Sequence, residues 1–142
     1  MLEERLEQLF ASGMDSVEQV LTDKMTHARI HIEEIGAAIQ MWLAHRITLG
    51  PDSLLIRKAT TCAAALDCTV RKVNLHPTIR RSVASRYGIS ETSLRDTHSD
   101  LVCVLDIMPC DYRYFTGDNN PLDKLVEAAD LLEQLEASFQ EP

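Results

Sequence analysis

The stretch ATTCAAALDC, residues 59–68, consists almost entirely of small side chains. Small residues let neighbouring helices approach closely, so a helix of this composition suits the centre of a helical bundle. The preceding segment, TLGPDS, offers Gly50 for a turn and Pro51 for a first helical turn. We therefore expect a buried central helix from about Pro51 to Asp67, with other helices packed around it.

Apolar residues recur at helical spacing in the rest of the chain. They predict helices over Leu2–Ala11, from Asp15 to about Thr48, from Pro77 to about Tyr87, from the cap Ser90 to about Leu105, and over 121–139. Asp15 and Glu18 form a plausible capping box, and Trp42 is expected in the core. The second helix is long for a globular protein, which allows for a break near Lys24 or a bend near Gly36. No alternation typical of strands competes with these patterns, so the predicted fold is all-α, a compact multi-helix bundle.

Length and composition indicate one soluble domain spanning residues 1–142. No apolar run approaches the ~20 residues that span a bilayer, and the N-terminal MLEERLEQLF is acidic where a signal peptide is basic. We expect a cytoplasmic protein that does not bind membranes. The four cysteines form no C-x-x-C pair, and we expect buried, reduced thiols.

Charge is distributed unevenly along the chain. Residues 57–95 carry eight basic and two acidic side chains, a net charge of +6, whereas residues 1–56 and 96–142 carry net charges of -5 and -9. We call residues 57–95 the basic segment. A basic region on an acidic protein is the electrostatic footprint that a phosphate backbone requires. The alternative is that these cations pair with the chain's own acidic tail or with a protein partner.

Within the basic segment, RRSVASRYGISETSLRD (residues 80–96) has the spacing of a helix-turn-helix, which we place at about residues 77–105. Such a motif needs a small residue where the helices touch, a glycine with positive φ in the turn, and apolar residues that lock the helices together. Gly88 meets the second need. The residues expected to face inward are Val83, Ala84, Ile89 and Leu94.

The outward side of this motif predicts DNA contacts. Arg80, Arg81 and Arg86 are the predicted phosphate contacts, and Arg95 is placed to reach a guanine edge. The other side chains expected on the outward start of the second helix, where such motifs meet base edges, are Ser90, Glu91, Thr92, Ser93 and Thr97. We expect neither catalysis nor a cofactor, because no catalytic triad and no phosphate-binding glycine loop can be assembled.

Two stretches, DSLLIRKATTCAAALDCTV and HPTIRRSVASRYGISETSLRDTHSDL, resemble the end of a cyclin-like repeat of the transcription initiation factor IIB family. The resemblance covers roughly residues 51–105, and the YGIS-x-x-S-L-R pattern is also similar to generic helix-turn-helix proteins. It implies a cyclin-like domain that contacts duplex DNA through Ser90, Glu91, Thr92 and Arg95. Asp96 and Asp100 depart from the basic character that the resemblance implies there. With one repeat and no zinc ribbon, the expectation is a small regulator rather than a full initiation factor.

Three further features have open interpretations. His27 and His31 lie one turn apart in the predicted helix, with Glu34 near the same face, a pattern that can hold a metal ion but is commoner as solvated histidines. The rings of CDYRYF, residues 110–115, suit either an interface or a plug for the bundle. The acidic C-terminal helix has a continuous apolar face that either packs across the bundle or pairs with its twin in a homodimer.

The first hypothesis from the sequence is a small DNA-binding transcriptional regulator, acting alone, as a homodimer or with a protein of the transcription machinery. The alternative is a protein-interaction adaptor or inhibitor that uses the helices only as a scaffold and binds no nucleic acid.

Overall fold

The structure, a computed structural model, describes residues 15–49, 58–77 and 79–140. These residues form six α-helices and no strand, so the predicted all-α class is confirmed. The helices are α1 (Ser16–His27), α2 (Ile32–Leu49), α3 (Ala59–Val73), α4 (Arg80–Tyr87), α5 (Glu91–Leu105) and α6 (Pro121–Gln140). The predicted helix over Leu2–Ala11 and the predicted helix start at Pro51 lie outside the described residues.

Helix α3 is the centre of the bundle. It packs against α1, α2, α4 and α5, and every side chain from Ala63 to Val70 is buried. A helix buried on all sides needs small or apolar residues around its whole circumference, and the alanines of α3 provide them. The expectation of a buried central helix is confirmed, but the helix continues to Val73, beyond the predicted end at Asp67.

The long helix predicted from Asp15 to Thr48 is divided into α1 and α2. The break lies at residues 28–31, a few residues beyond Lys24, and Arg29 adopts a left-handed φ of 58°. The Ile30 N–H donates to the Met25 carbonyl and the Arg29 N–H to the Thr26 carbonyl, each at 3.0 Å. This is the Schellman pattern that ends helices, here without the glycine that usually marks it in a sequence.

Asp15 joins the start of α1 to α2. One carboxylate oxygen accepts the Glu18 backbone N–H at 2.8 Å, as a helix N-cap does, and the other accepts the Trp42 indole N–H at 2.7 Å. Trp42 is buried in the core, as expected. Burial is the main cause that raises the pKa of Glu18, and the nearby Asp15 charge adds to it.

The segment between α5 and α6 is fastened to the bundle. The Arg113 guanidinium donates to the Leu105 carbonyl at 2.8 Å and to Asp111, and its hydrogen bond lowers the pKa of Asp111. The Asn74 side chain donates to the Tyr114 carbonyl and accepts the Thr116 N–H. Of the rings in CDYRYF, Tyr114 is buried, Phe115 is half-buried and Tyr112 is exposed.

Helix α6 leaves the bundle after its first turn. Asn120 anchors the start, donating to the Cys110 carbonyl and accepting the Leu122 N–H. From Asp123 to Phe139 every side chain is exposed, including those of the apolar face. The apolar face expected from the sequence is present, but it does not pack across this bundle.

The described part of the chain contains no helix that is long and apolar enough to cross a membrane. All four cysteines are unpaired thiols. Cys68 and Cys110 are buried and Cys62 is half-buried, whereas Cys103 is exposed on α5, so the prediction of burial is wrong for Cys103.

Candidate nucleic-acid interface

The connection between α4 and α5 is a Schellman turn. Gly88 has a φ of 66°, its N–H donates to the Ser85 carbonyl at 3.2 Å, and the Ile89 N–H donates to the Ala84 carbonyl at 3.0 Å. Glycine accepts this left-handed conformation without a steric penalty, which is why the turn occurs here. Helix α4 begins at Arg80, three residues later than the predicted start at Pro77.

The inward residues of this helix pair are placed as predicted. Val83, Ala84 and Leu94 are buried, and Ile89 is half-buried against the core. Thr97, expected on the outward side, is instead buried and donates its hydroxyl to the Ser93 carbonyl at 2.7 Å. Position 97 is one turn beyond position 93, on the side of α5 that turns back toward the bundle.

The start of α5 is open to solvent. Ser90 is the N-cap and accepts the Ser93 backbone N–H at 3.1 Å. The exposed side chains of this turn are Ser90, Glu91, Thr92 and Ser93, followed by Arg95. Beside them lies a cleft of about 550 Å³ between the starts of α3 and α5, lined by Lys58, by the carboxylate of Asp96 and by hydroxyls of both helices.

The four predicted arginines differ in their surroundings. Arg80 and Arg81 are exposed in the first turn of α4, and 86% of the Arg81 side chain is accessible. Arg81 lies 3.5 Å from Glu91, and Arg95 lies 3.6 Å from Asp96, both at the surface. Arg86 is 32% exposed and faces the buried carboxylate of Asp67 at 3.8 Å. Among the described residues, no carboxylate of α6 pairs with any of these arginines.

The buried carboxylate of Asp67 accounts for the positions of two arginines in the basic segment. Its carboxylate is completely buried in α3 and accepts hydrogen bonds from the Arg71 Nε–H at 2.5 Å and the Tyr87 hydroxyl at 2.7 Å. Burial raises the pKa of Tyr87, and the Asp67 charge and hydrogen bond raise it further. Arg71 and Arg86 therefore neutralise an internal charge. The exposed cations of this region are Lys58, Arg80, Arg81 and Arg95, and Lys72 is half-buried.

His98 marks a second point where the helices of this region meet, and sequence reasoning did not single it out. The Thr69 hydroxyl donates to the Ala65 carbonyl at 2.6 Å, so it must accept a hydrogen from His98 Nδ1 at 2.7 Å. Burial lowers the pKa of His98 to about 4, and the charges of Lys72 and Arg80 contribute. His98 is thus a neutral ring near pH 7, with Nε2 left as an acceptor, close to two cations.

The candidate metal site is not assembled as the sequence suggested. His27 ends α1, whereas His31 lies beyond the break, so the two are not one turn apart on a helix. Glu34 is bound to His76 Nε2 at 2.5 Å. In residues 15–49, 58–77 and 79–140, no group of three or more His, Cys, Asp or Glu residues is arranged to hold a metal ion.

Comparison with known proteins gives no match, either to a family model, to a curated protein or to a solved structure.

Proposed function

We propose that this protein binds duplex DNA through the exposed start of α4 and the first turn of α5, as a small, non-catalytic transcriptional regulator. The observation that carries the proposal is the position of Arg80 and Arg81. Both are exposed in the first turn of a helix that has no side-chain cap and no acidic residue in that turn.

Two arginines at this position act against the stability of the helix. The N-terminus of a helix carries partial positive charge, so each cation placed there costs roughly 0.3–1 kcal/mol. The same free N–H groups and cations form a favourable environment for a phosphate. A phosphate backbone therefore satisfies groups that the fold of the free protein leaves unsatisfied.

The distribution of charge assigns different contacts to the two helices. Helix α4 contributes cations to the surface, whereas α5 carries Asp96 and Asp100 on its exposed side after the first turn. Like-charge repulsion disfavours phosphates beside those carboxylates, so backbone contacts belong to α4. Base contacts are confined to the first turn of α5 and to Arg95, in agreement with the resemblance to a cyclin-like repeat.

The test is the salt dependence of binding to a fluorescent non-specific duplex, followed by anisotropy. With about three phosphate contacts, the affinity should fall roughly 40-fold between 50 and 200 mM salt. Arg81→Gln should weaken binding to every sequence and reduce the slope of the log–log plot by about 1.

The matched control is Arg29→Gln, which removes the same charge from the connection between α1 and α2, and it should leave the slope unchanged. Absence of binding by the wild-type chain at low salt contradicts the proposal. So does an equal effect of the two substitutions, because the binding would then follow net charge rather than the α4 surface.

The alternative proposal, a protein-interaction module, draws support from the exposed apolar face of α6. An adaptor of this kind needs no cationic surface. It predicts that the wild-type chain fails to bind duplex at low salt while retaining a defined assembly through α6.

A further inference from the structure

Two helices of the described chain expose apolar stripes of similar length. On α2 the stripe is most exposed at its two ends, with Ile32 82% and Ile47 84% exposed, whereas Ile39 is partly buried against the core. Its members are Ile32, Gly36, Ile39, Leu43 and Ile47. We call it the α2 stripe. At 3.6 residues per turn these positions share one face over four turns.

The second stripe lies on α6, and we call it the α6 stripe. Its members are Leu125, Ala128, Leu132, Leu135 and Phe139, spaced as the a and d positions of a heptad repeat. Phe139 is 87% exposed. In proteins most of the stability of a helix comes from packing of its apolar face, and large exposed apolar patches on soluble proteins mark interaction surfaces.

The edges of the two stripes carry charges of opposite sign. On α2, Glu33 flanks the stripe near its N-terminal end. Arg46, which lies 3.2 Å from Asp15 and 3.7 Å from Glu18 of its own bundle, flanks the opposite edge near its C-terminal end. On α6, Lys124 and Glu136 occupy the corresponding positions. In a parallel pair of helices, each edge of one meets the opposite edge of the other. Parallel packing of the two stripes therefore places Lys124 beside Glu33. It also places Glu136 beside Arg46, a cation that its own chain already pairs with Asp15 and Glu18, so the charge argument rests on the contact between Lys124 and Glu33.

The α2 stripe is also open at Gly36. A Cβ atom added to Gly36 meets nothing within 4 Å, so a second helix can approach the α2 backbone closely there. The four remaining carboxylates of α6 lie, by helical spacing, on the face opposite its stripe. They stay in solvent when the stripe is covered.

We propose that α6 of one copy packs in parallel along the α2 stripe of a second copy, and that the exchange is reciprocal. A two-fold dimer of this kind covers both apolar stripes of both chains. Pairing of α6 with α6 of the second copy covers only the α6 stripe and brings no opposite charges together at the edges. The inference does not depend on DNA binding.

The experiment is a mass measurement by sedimentation or light scattering on the full chain over a range of concentrations. The wild type should reach twice the 16.0 kDa mass of the chain. Leu132→Glu on α6 and Ile47→Glu on α2 should each weaken the dimer at least about tenfold, because each buries an unpaired carboxylate. Gln134→Glu and Thr48→Glu, on the exposed polar sides of the same helices, are the matched controls and should leave the mass unchanged.

Mixing distinguishes the reciprocal arrangement from the others. A Leu132→Glu chain and an Ile47→Glu chain retain one intact α6–α2 contact between them, so their mixture should form a heterodimer although each alone is monomeric. Lys124→Glu should weaken the dimer and Glu33→Lys should restore it in the double variant. A monomeric wild type overturns the proposal, as does a dimer that Ile47→Glu leaves intact, which indicates twin pairing of α6.

Discussion

The basic segment contains two kinds of arginine that the sequence presents as one group. Arg71 and Arg86 turn inward to the buried carboxylate of Asp67, whereas Arg80 and Arg81 stand at the surface in the first turn of α4. The first pair supports the fold and the second pair acts against helix stability. Surface cations that the fold does not require are the better candidates for function, and a count of charges along the chain cannot separate them.

The largest expected effect comes from removing the charge at the centre of the inward group. Asp67→Asn leaves two guanidinium groups without their carboxylate in the bundle, so it should lower the free energy of unfolding by about 3 kcal/mol or more. Urea unfolding measures it. Asp96→Asn, at a surface carboxylate paired with Arg95, is the control and should cost less than about 1 kcal/mol. Equal losses would mean that the buried network does not hold α3 and α4 together.

The titration of His98 should give the next largest effect. Its folded pKa of about 4 lies below the ordinary value of 6.5, so the unfolded chain binds more protons between these values. This contribution is fully present above pH 6.5 and is lost as the pH falls toward 4. Because His98 is only partly buried, we expect a loss on the order of 1 kcal/mol.

Urea unfolding of wild type and His98→Asn at pH 5 and pH 7 measures the contribution of His98 titration to the free energy of unfolding. The asparagine amide can still donate to Thr69 but does not titrate. The difference in stability between the two proteins should therefore move in favour of the variant at pH 5. A difference that stays constant between the two pH values contradicts the assigned environment of His98.

The smallest effect compares the two kinds of arginine directly, and its sign matters more than its size. Arg86→Gln should lower stability by about 1 kcal/mol, because Asp67 loses one of its cations while Arg71 remains. Arg80→Gln should raise stability by roughly 0.3–1 kcal/mol, since it removes a cation from the N-terminus of α4. Thermal unfolding of both variants is the measurement. A loss of stability in Arg80→Gln would assign Arg80 to the scaffold and weaken the case for a phosphate contact.

Much of the helical architecture is visible in the sequence. The cap Ser90, the turn at Gly88 and the apolar spacing predicted α5 and its neighbours closely, and the small residues of α3 predicted its central position. The length of the apolar pattern indicated a break near Lys24, but its position at Arg29 was not visible, because a non-glycine residue takes the left-handed conformation there.

The candidate site was less accessible to sequence reasoning. Which arginines are free depends on where the Asp67 side chain points, and that is set by the packing of α3 rather than by local spacing. The spacing of Asp67 and Arg71 was the only local signal of their pairing. His98 gave no signal, since its partner Thr69 belongs to another helix. The exposure of α6 is likewise set by the anchored segment before it. The apolar pattern of α6 itself did not indicate it.

The Asn74 side chain holds the main chain at both Tyr114 and Thr116 and so helps to fix the base from which α6 extends. Helix α6 is about 30 Å long, so a tilt of roughly ten degrees at its base displaces its tip by about 5 Å. The orientation of α6 relative to the bundle therefore depends on the hydrogen bonds that hold its base, those of Asn74 at the end of α3 among them. Removal of the Asn74 side-chain amide should widen the range of angles between α6 and the bundle, while the bundle and the helix each keep their own structure.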